Sequence, residues 1–440
     1  MQTKARTLSC LALVMTTLAI TSCGAPAAPA QDSAATAGGD HRIATLRIQQ
    51  SVTREAILAA TPGAQILSFD PAAGYAILSL PGQDHQTAGT GLSGQSLRAL
   101  GVQTMTVEAD VRLSAPGDPQ ASGLGINAWA GGINAWAGGI NAWAGGANIL
   151  PAADWDRAVA YWSALGLPQA QQLVPERGLG VRVAVLDTGV DLGHTLLQGR
   201  IDAASGWDYV DGDAVPQEEQ SGGAKYGHGT AVTGVILQIA PNAKIVPLRV
   251  LGPDGSAPVS RVVQAIDRAV ASGARVINLS LGAAGDSVAL NTVIAGALAQ
   301  GVLVVNSSGN DGTEGMVYPA RNVGSLTFPA SSGLLAVGSV GPGLYKSDFT
   351  NYGANMSLTA PGEEILTTFP GNQVARATGT SFAAPAVSGA LALAMSAGVT
   401  SPARLVTDLR ATARAHLDPT FKSKLGAGTL NVAAFVDTYR

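Results

Sequence analysis

Three short stretches hold side chains whose types and surroundings could do chemistry. VRVAVLDTGVD, from Val181 to Asp191, is an apolar run that ends in acid. Such a run suits a strand buried on both faces of a parallel sheet. It sets Asp187 at the strand's C-terminal edge, where ligands and reactions collect in open α/β sheets. YGHGTAVTGVILQ places His228, one of five histidines, between glycines at the start of a helix, where small neighbours let another chain approach. ATGTSFAAPAVSGALALAMSAG puts Ser381 at the opening of a long apolar helix, with Pro385 near enough to the start for its missing N–H to cost little. Free N–H groups and the positive dipole end there favour an oxyanion forming beside the serine hydroxyl. Taken singly, each residue also has an ordinary use. An Asp after a strand caps the next helix, a His there caps or faces solvent, and Ser is a common N-cap.

In this order and with these flanks, Asp187, His228 and Ser381 resemble the subtilase (subtilisin-like) serine peptidases; Asp, His, Ser is the order of subtilisin itself. The resemblance runs from about Tyr161 to Val436 and takes in PNAKIVPLRVL, RVINLSLG, VLVVNSSGN, FTNYG and LTAPGEEILTTFPG. It implies a serine endopeptidase. A serine hydroxyl is a poor nucleophile until a base takes its proton during attack. His228 would accept that proton and hand it to the leaving amine. Asp187 would orient the imidazole and stabilise its charged form. The resemblance makes Asn310, in VVNSSGN, the oxyanion-hole residue that works with the Ser381 N–H. It makes Ser280-Leu281-Gly282 the extended segment that pairs with substrate backbone. LTFPASS resembles one wall of the primary specificity pocket, with Thr327 near its rim. Two rival readings are a catalytically silent scaffold acting as a binding module and a maturase dedicated to a few partners. The intact Asp, His, Ser and Asn stand against the first.

The match also departs from the family. Relatives usually carry His-Pro-Asp-Leu after the catalytic Asp, and that second Asp often ligates calcium. Here the stretch is His194-Thr195-Leu196-Leu197, and GTAVTGVILQI runs directly into APNAK without the calcium-wrapping loop. No metal or other cofactor is therefore expected at that site. Asp208, Asp211 and Asp213 read as a solvated acidic loop, since calcium needs several well-placed oxygens.

The elements that must position these residues follow from periodicity. Val259, Val262, Val263, Ile266 and Val270 line one helical face closed by Gly273; Leu290, Val293, Ile294, Ala297 and Leu298 line another closed by Gly301. Short apolar strands at KIVPLRV, RVINL, VLVVN and LLAVGSV alternate with them. That pattern predicts an α/β fold, a three-layer α/β/α domain with a mainly parallel sheet, over residues 154–440.

Upstream, residues 44–114 read as a small α+β domain. ATLRIQ alternates, SVTREAILAAT is helical with Thr53 as N-cap, AQILSFD and YAILSL are strands around a Gly74 turn, QSLRAL is helical, and TMTVEADVRLSA is a last alternating stretch. The order β-α-β-β-α-β is ferredoxin-like. Roughly 70 residues make a marginal core alone. Beside a subtilase, this domain resembles the family's propeptide, which assists folding and inhibits until cut away; the plainer alternative is a permanent binding domain. VEADVRLSAPG looks like the propeptide's last strand and exit, whose tail could lie in the cleft.

Both cysteines fall in MQTKARTLSCLALVMTTLAITSC. Its basic start and short apolar run read as a secretory signal over residues 1–22. Ile20-Thr21-Ser22-Cys23 resembles a lipobox that would lipidate Cys23, with 23–43 as a tether; a plain signal peptide is the alternative. Residues 115–153 hold three copies of INAWAGG. The glycines oppose a coiled coil, each costing about 1 kcal/mol in a helix. The odd period would scatter Trp129, Trp136 and Trp143 over both faces of a strand. A flexible linker remains, with docking of an INAW unit as the alternative. The net charge of −4 and sparse charge (13%) exclude a polybasic nucleic-acid binder. Expected partners are protein or peptide substrates and the chain's own propeptide, with a membrane contact only through the lipid, in an exported monomer.

Overall fold

The computed structural model describes residues 41–80, 94–116, 160–219, 225–325 and 333–440. The leader with Cys23, its tether, the INAWAGG copies and Thr327 lie outside the described residues.

The N-terminal domain runs β1 (Arg42–Ile48), α1 (Arg54–Ala60), β2 (Gln65–Asp70), β3 (Tyr75–Leu80), α2 (Gly94–Ala99) and β4 (Val102–Ala109). The sheet order is β2-β3-β1-β4, antiparallel throughout. Thr53 caps α1 as expected, its hydroxyl accepting from the Ala56 N–H at 3.2 Å. Alternation along β1 explains the domain's two allegiances. Ala44, Leu46 and Ile48 turn inward with Ile57 and Leu97 to form a small private core. Ile43, with Leu67, Tyr75 and Ile77, joins a core that belongs to the second domain. One face of this thin domain is thus finished by a neighbour.

TMTVEADVRLSA does not continue as one strand. β4 ends at Ala109, and the chain leaves the sheet to form β5 (Arg112–Ser114). Asp110 causes the break: its carboxylate caps a helix of the second domain, accepting from the Ser260 N–H at 3.0 Å.

The second domain continues with α3 (Leu167–Leu173), β6 (Arg182–Asp187), β7 (Trp207–Asp208), α4 (His228–Ile239), β8 (Lys244–Arg249), β9 (Ser256–Pro258) and α5 (Val259–Ala271). Then follow β10 (Val276–Leu279), α6 (Val288–Ala299), β11 (Leu303–Ser307), β12 (Leu334–Val340), β13 (Leu358–Pro361) and the hairpin β14 (Ile365–Phe369)–β15 (Gln373–Ala377). The chain closes with α7 (Thr380–Ser396), α8 (Pro402–Ala411) and α9 (Val432–Asp437). The sheet runs β13-β12-β11-β10-β6-β8-β7, every pairing parallel. Both faces are covered, which is why its strands read as unbroken apolar runs. Val183 and Val185 face a core shared with α4 and α7, whereas Ala184 and Leu186 face one shared with α5 and α6. This is the expected three-layer α/β/α fold. Strand order reverses between β6 and β10, so their C-terminal ends flank a crevice of the kind where ligands bind.

The two domains meet across α5 and α6. Glu108, at the end of β4, caps α6: Oε1 accepts from Ser287 Oγ (2.9 Å) and the Ala289 N–H (2.8 Å), and Oε2 from the Val288 N–H (2.9 Å). Asp110 does the same for α5. Two carboxylates on one strand end therefore sit on two helix N-termini, the charge and geometry those termini favour.

The acidic loop differs from its expectation. Asp208 is buried and Asp211 joins it on the buried guanidinium of Arg249, at the end of β8. Asp211 and Asp213 keep to the exposed turn, where Asp213 accepts from the Val215 N–H. The reason is long-range: β7 lies beside β8 and brings Asp208 level with Arg249. Removing one partner of a buried pair costs about 3–5 kcal/mol. Arg249→Leu is therefore expected to lower the unfolding free energy by that amount, read as a fall in the urea midpoint; an unchanged midpoint would mean the pair holds nothing.

Candidate active site

Asp187 ends β6 at the switch point. Its backbone carbonyl accepts from the Val250 and Leu251 N–H groups, and its Oδ1 from the Thr188 N–H at 2.8 Å. The side chain is thereby locked before any imidazole arrives. His228 is the first residue of α4, and two glycines let it get there. Gly227 holds φ +85°, and a Cβ on it would collide with the Phe369 ring; a Cβ on Gly229 would strike the Gly189 carbonyl. The close approach brings His228 Nδ1 to 2.6 Å from Asp187 Oδ1, with both side chains buried. Nδ1–H donates to the carboxylate, which directs Nε2 away from Asp187. Among the described residues, no hydrogen-bond partner reaches the buried Asp187 Oδ2.

Ser381 is the second residue of α7, where a backbone N–H has no partner within the helix. The next side chain, Phe382, lies with its ring 5.5 Å from that of His228, so the start of α7 approaches the start of α4. Pro385 proves to matter more than its expected place near the helix start implied. It stands four residues after Ser381 and cannot donate to the Ser381 carbonyl. Ser280 Oγ donates to that carbonyl instead, at 2.8 Å. Asn278 Nδ2 donates to Ser280 Oγ (3.0 Å), and Ser388 Oγ donates to Asn278 Oδ1 (2.9 Å). A buried relay thus fixes the turn that carries Ser381.

Asn310 follows β11. Its Oδ1 accepts from the Thr380 N–H (3.0 Å) and Thr380 Oγ1 (2.8 Å), so the amide is oriented from the residue next to Ser381.

The segment Ser280-Leu281-Gly282 follows β10, and its members divide the work. The Ser280 hydroxyl serves the Ser381 turn. Leu281 is buried, and its carbonyl, like that of Leu279, accepts from Asn306 Nδ2 (2.8 and 2.6 Å). Gly282 presents its backbone outward and meets Ser114: Ser114 N–H donates to Gly282 O and Gly282 N–H to Ser114 O, each at 2.8 Å. On its other side β5 pairs antiparallel with β9, and the Ala115 N–H donates to Gly255 O at 2.8 Å. The exit strand of the N-terminal domain therefore lies between two strand edges beside Ser381, as a third strand.

Sequence reasoning missed the β14–β15 hairpin as a support. Thr367 Oγ1 and Thr368 Oγ1 donate to the carbonyls of Ala231 (2.6 Å) and Thr230 (2.8 Å), holding the first turn of α4. His194 Nε2 donates to Gln373 O (2.9 Å) and Asp191 Oδ2 accepts from the Gly371 N–H (2.8 Å), so the stretch beginning at His194 ties down this hairpin. Tandem threonines before Phe369 were the available signal.

The site thus holds a buried acid–imidazole pair at the edge of a parallel sheet and a serine in the first turn of a neighbouring helix, as the resemblance implied. Comparison with known proteins agrees. A family model described as the Subtilase family matches residues 178–428. The chain belongs to the subtilase family of serine endopeptidases. It is 38% identical over 225 residues to an alkaline protease of Alkalihalobacillus alcalophilus, covering 49% of this chain and 54% of that protein. It is 37% identical over 225 residues to subtilisin BL of Lederbergia lenta (49% and 76% covered) and 32% identical over 268 residues to subtilisin DY of Bacillus licheniformis (59% and 91%). The matched region spans about half the length of the first of these relatives.

Proposed function

We propose that this chain is made as a zymogen of an exported serine endopeptidase, with Asp187, His228 and Ser381 as its triad. The single observation that carries this reading is the seating of Arg112–Ser114 between Gly282 and β9, beside a hydrogen-bonded Asp187–His228 pair. An extended peptide held on both edges is bound as an added strand, main-chain bonds giving affinity and side-chain pockets giving preference. A protein substrate would occupy the same place after the exit strand departs.

The chemistry follows from the residues. As Ser381 Oγ attacks the scissile carbonyl, His228 Nε2 takes its proton and then delivers it to the leaving amine. Asp187 holds the ring and favours its charged form. The Asn310 amide and the Ser381 N–H would receive the oxyanion. A silent scaffold is disfavoured, because it would have no need of a buried carboxylate–imidazole pair.

The N-terminal domain is read as the propeptide. Its shared core with α5 and α6, its two carboxylate caps and its exit strand in the cleft support this. The leader and Cys23 support export, with the lipid left on the propeptide side once the linker is cut. Arg249 stands where a cation could otherwise sit among Asp208 and Asp211, which supports a protease independent of calcium at that loop. Among the described residues no helix is long and apolar enough to cross a membrane.

Intact mass and N-terminal sequence of purified wild type beside Ser381→Ala test the reading. Wild type should lose the leader and residues up to a point in the linker, while Ser381→Ala keeps them; processing of both alike would contradict self-maturation. The caps give a second expectation. Hydrogen bonds to charged groups are worth about 1.5–3 kcal/mol. The Glu108→Gln/Asp110→Asn variant should therefore shorten the lag before peptidase activity by about ten- to a hundredfold, and an unchanged lag would remove the caps from the account.

A further inference from the structure

Glu218 is buried beside the Asp187–His228 pair and has no part in the chemistry above. Its backbone N–H donates to Val190 O at 3.0 Å, pinning it against the turn that follows β6. Its carboxylate reaches the first turn of α4, where Oε2 accepts from the Thr230 N–H and from Thr230 Oγ1, both at 3.1 Å. The N-cap of α4 is Gly227, which offers no side-chain cap. Glu218 thus supplies from a distance the capping acid that the local sequence lacks.

The bonds form a closed circuit. Thr230 Oγ1 accepts from the Asp191 N–H (2.9 Å). Thr188 Oγ1 accepts from the Gly229 N–H (2.9 Å) and donates to Asp187 Oδ1 (3.3 Å). Both neighbours that follow His228 are therefore tied to the β6 turn, one through Thr188 and the other through Glu218. Glu218 Oε1 is buried, with no hydrogen-bond partner at ordinary distance among the described residues.

We infer that Glu218 is a positioning residue for His228: its ionised carboxylate fixes the first turn of α4 and so holds the imidazole against Asp187. The inference rests on the peptidase reading of Asp187, His228 and Ser381.

The ionisable groups around it are Asp187 at the end of β6, Asp191 in the next turn, Tyr226 before α4, and His228 at the start of the helix it caps. Burial pushes the Glu218 carboxyl up to about 7, and the Asp187 charge adds to the rise; the Thr188 hydroxyl and the Gly227 and Thr230 backbones oppose it. A carboxyl raised in this way is neutral below that range and ionised above it. The ionised form holds N–H and O–H donors more strongly. The well-positioned state therefore gains as pH rises through neutrality, adding a second ionisation to the acid limb of the rate profile.

The test is kcat/KM and kcat against pH for the processed wild type, Glu218→Gln and Thr230→Val. Glu218→Gln should lose about ten- to a hundredfold in kcat with KM little changed, the scale of a slightly misplaced catalytic group. Its acid limb should move to lower pH, because one ionisation is gone. Thr230→Val removes a donor from the ionised carboxylate and should move the limb to higher pH. Opposite displacements are not what a merely structural role gives; unmoved profiles in both variants, with only lowered melting temperatures, would overturn the inference. Should Glu218→Gln fail to fold, the direction of the Thr230→Val shift decides alone. Fluorophosphonate labelling of wild type separates the two levels. An unlabelled wild type overturns the peptidase reading and this inference with it, and a labelled one with unmoved profiles overturns only the latter.

Discussion

A carboxylate and an imidazole meet at 2.6 Å, both buried, and much of the surrounding structure exists to make that meeting possible. Taking both groups out of water is costly, and a partner-less charge there would cost several kcal/mol. The contact persists because each side is fixed by bonds besides the one between them. Asp187 is held by the end of a buried parallel strand and the Thr188 N–H. His228 is held by the first turn of α4, which two glycines, the Thr367–Thr368 pair and Glu218 keep in place. Thr188 and Glu218 tie the two supports to each other, so the pair is preorganised rather than assembled on demand.

Ser381 is positioned by a different device. Pro385 removes one helical hydrogen bond, and the lost donor is replaced by Ser280 from the strand end opposite. That exchange couples the turn that carries Ser381 to the segment whose Gly282 backbone pairs with Ser114. Gly282 and Ser381 thereby become parts of one rigid unit, and a strand paired with Gly282 is placed relative to the serine by main-chain geometry alone. Arg112–Ser114 already occupies this track.

What the sequence made legible is what local periodicity and motif context encode. Unbroken apolar runs marked β6, β8, β10, β11 and β12; stripes from Val259 and Leu290 marked α5 and α6; the alternation and turn at Gly74 gave the N-terminal sheet. Asp187, His228 and Ser381 could be singled out because each stands at an element's end within a long motif. Partners distant in sequence were not legible. Arg249 meets Asp208 only because β7 and β8 are neighbours, and Glu218 reaches Thr230 only because the β6 turn folds back on α4. Pro385 looked harmless because its cost falls on a carbonyl that Ser280, far off in the chain, repairs. The split of TMTVEADVRLSA at Asp110 likewise follows from a helix terminus in another domain.

The central claim is that the Asp187–His228 pair activates Ser381 as a nucleophile. It is tested most directly by reacting the processed protein with a fluorophosphonate and mapping the adduct by peptide mass, for wild type and His228→Ala side by side. The account predicts a single phosphonylated residue, Ser381, in wild type, and labelling slowed by orders of magnitude in His228→Ala. An adduct elsewhere, or equal labelling of the two proteins, would contradict it.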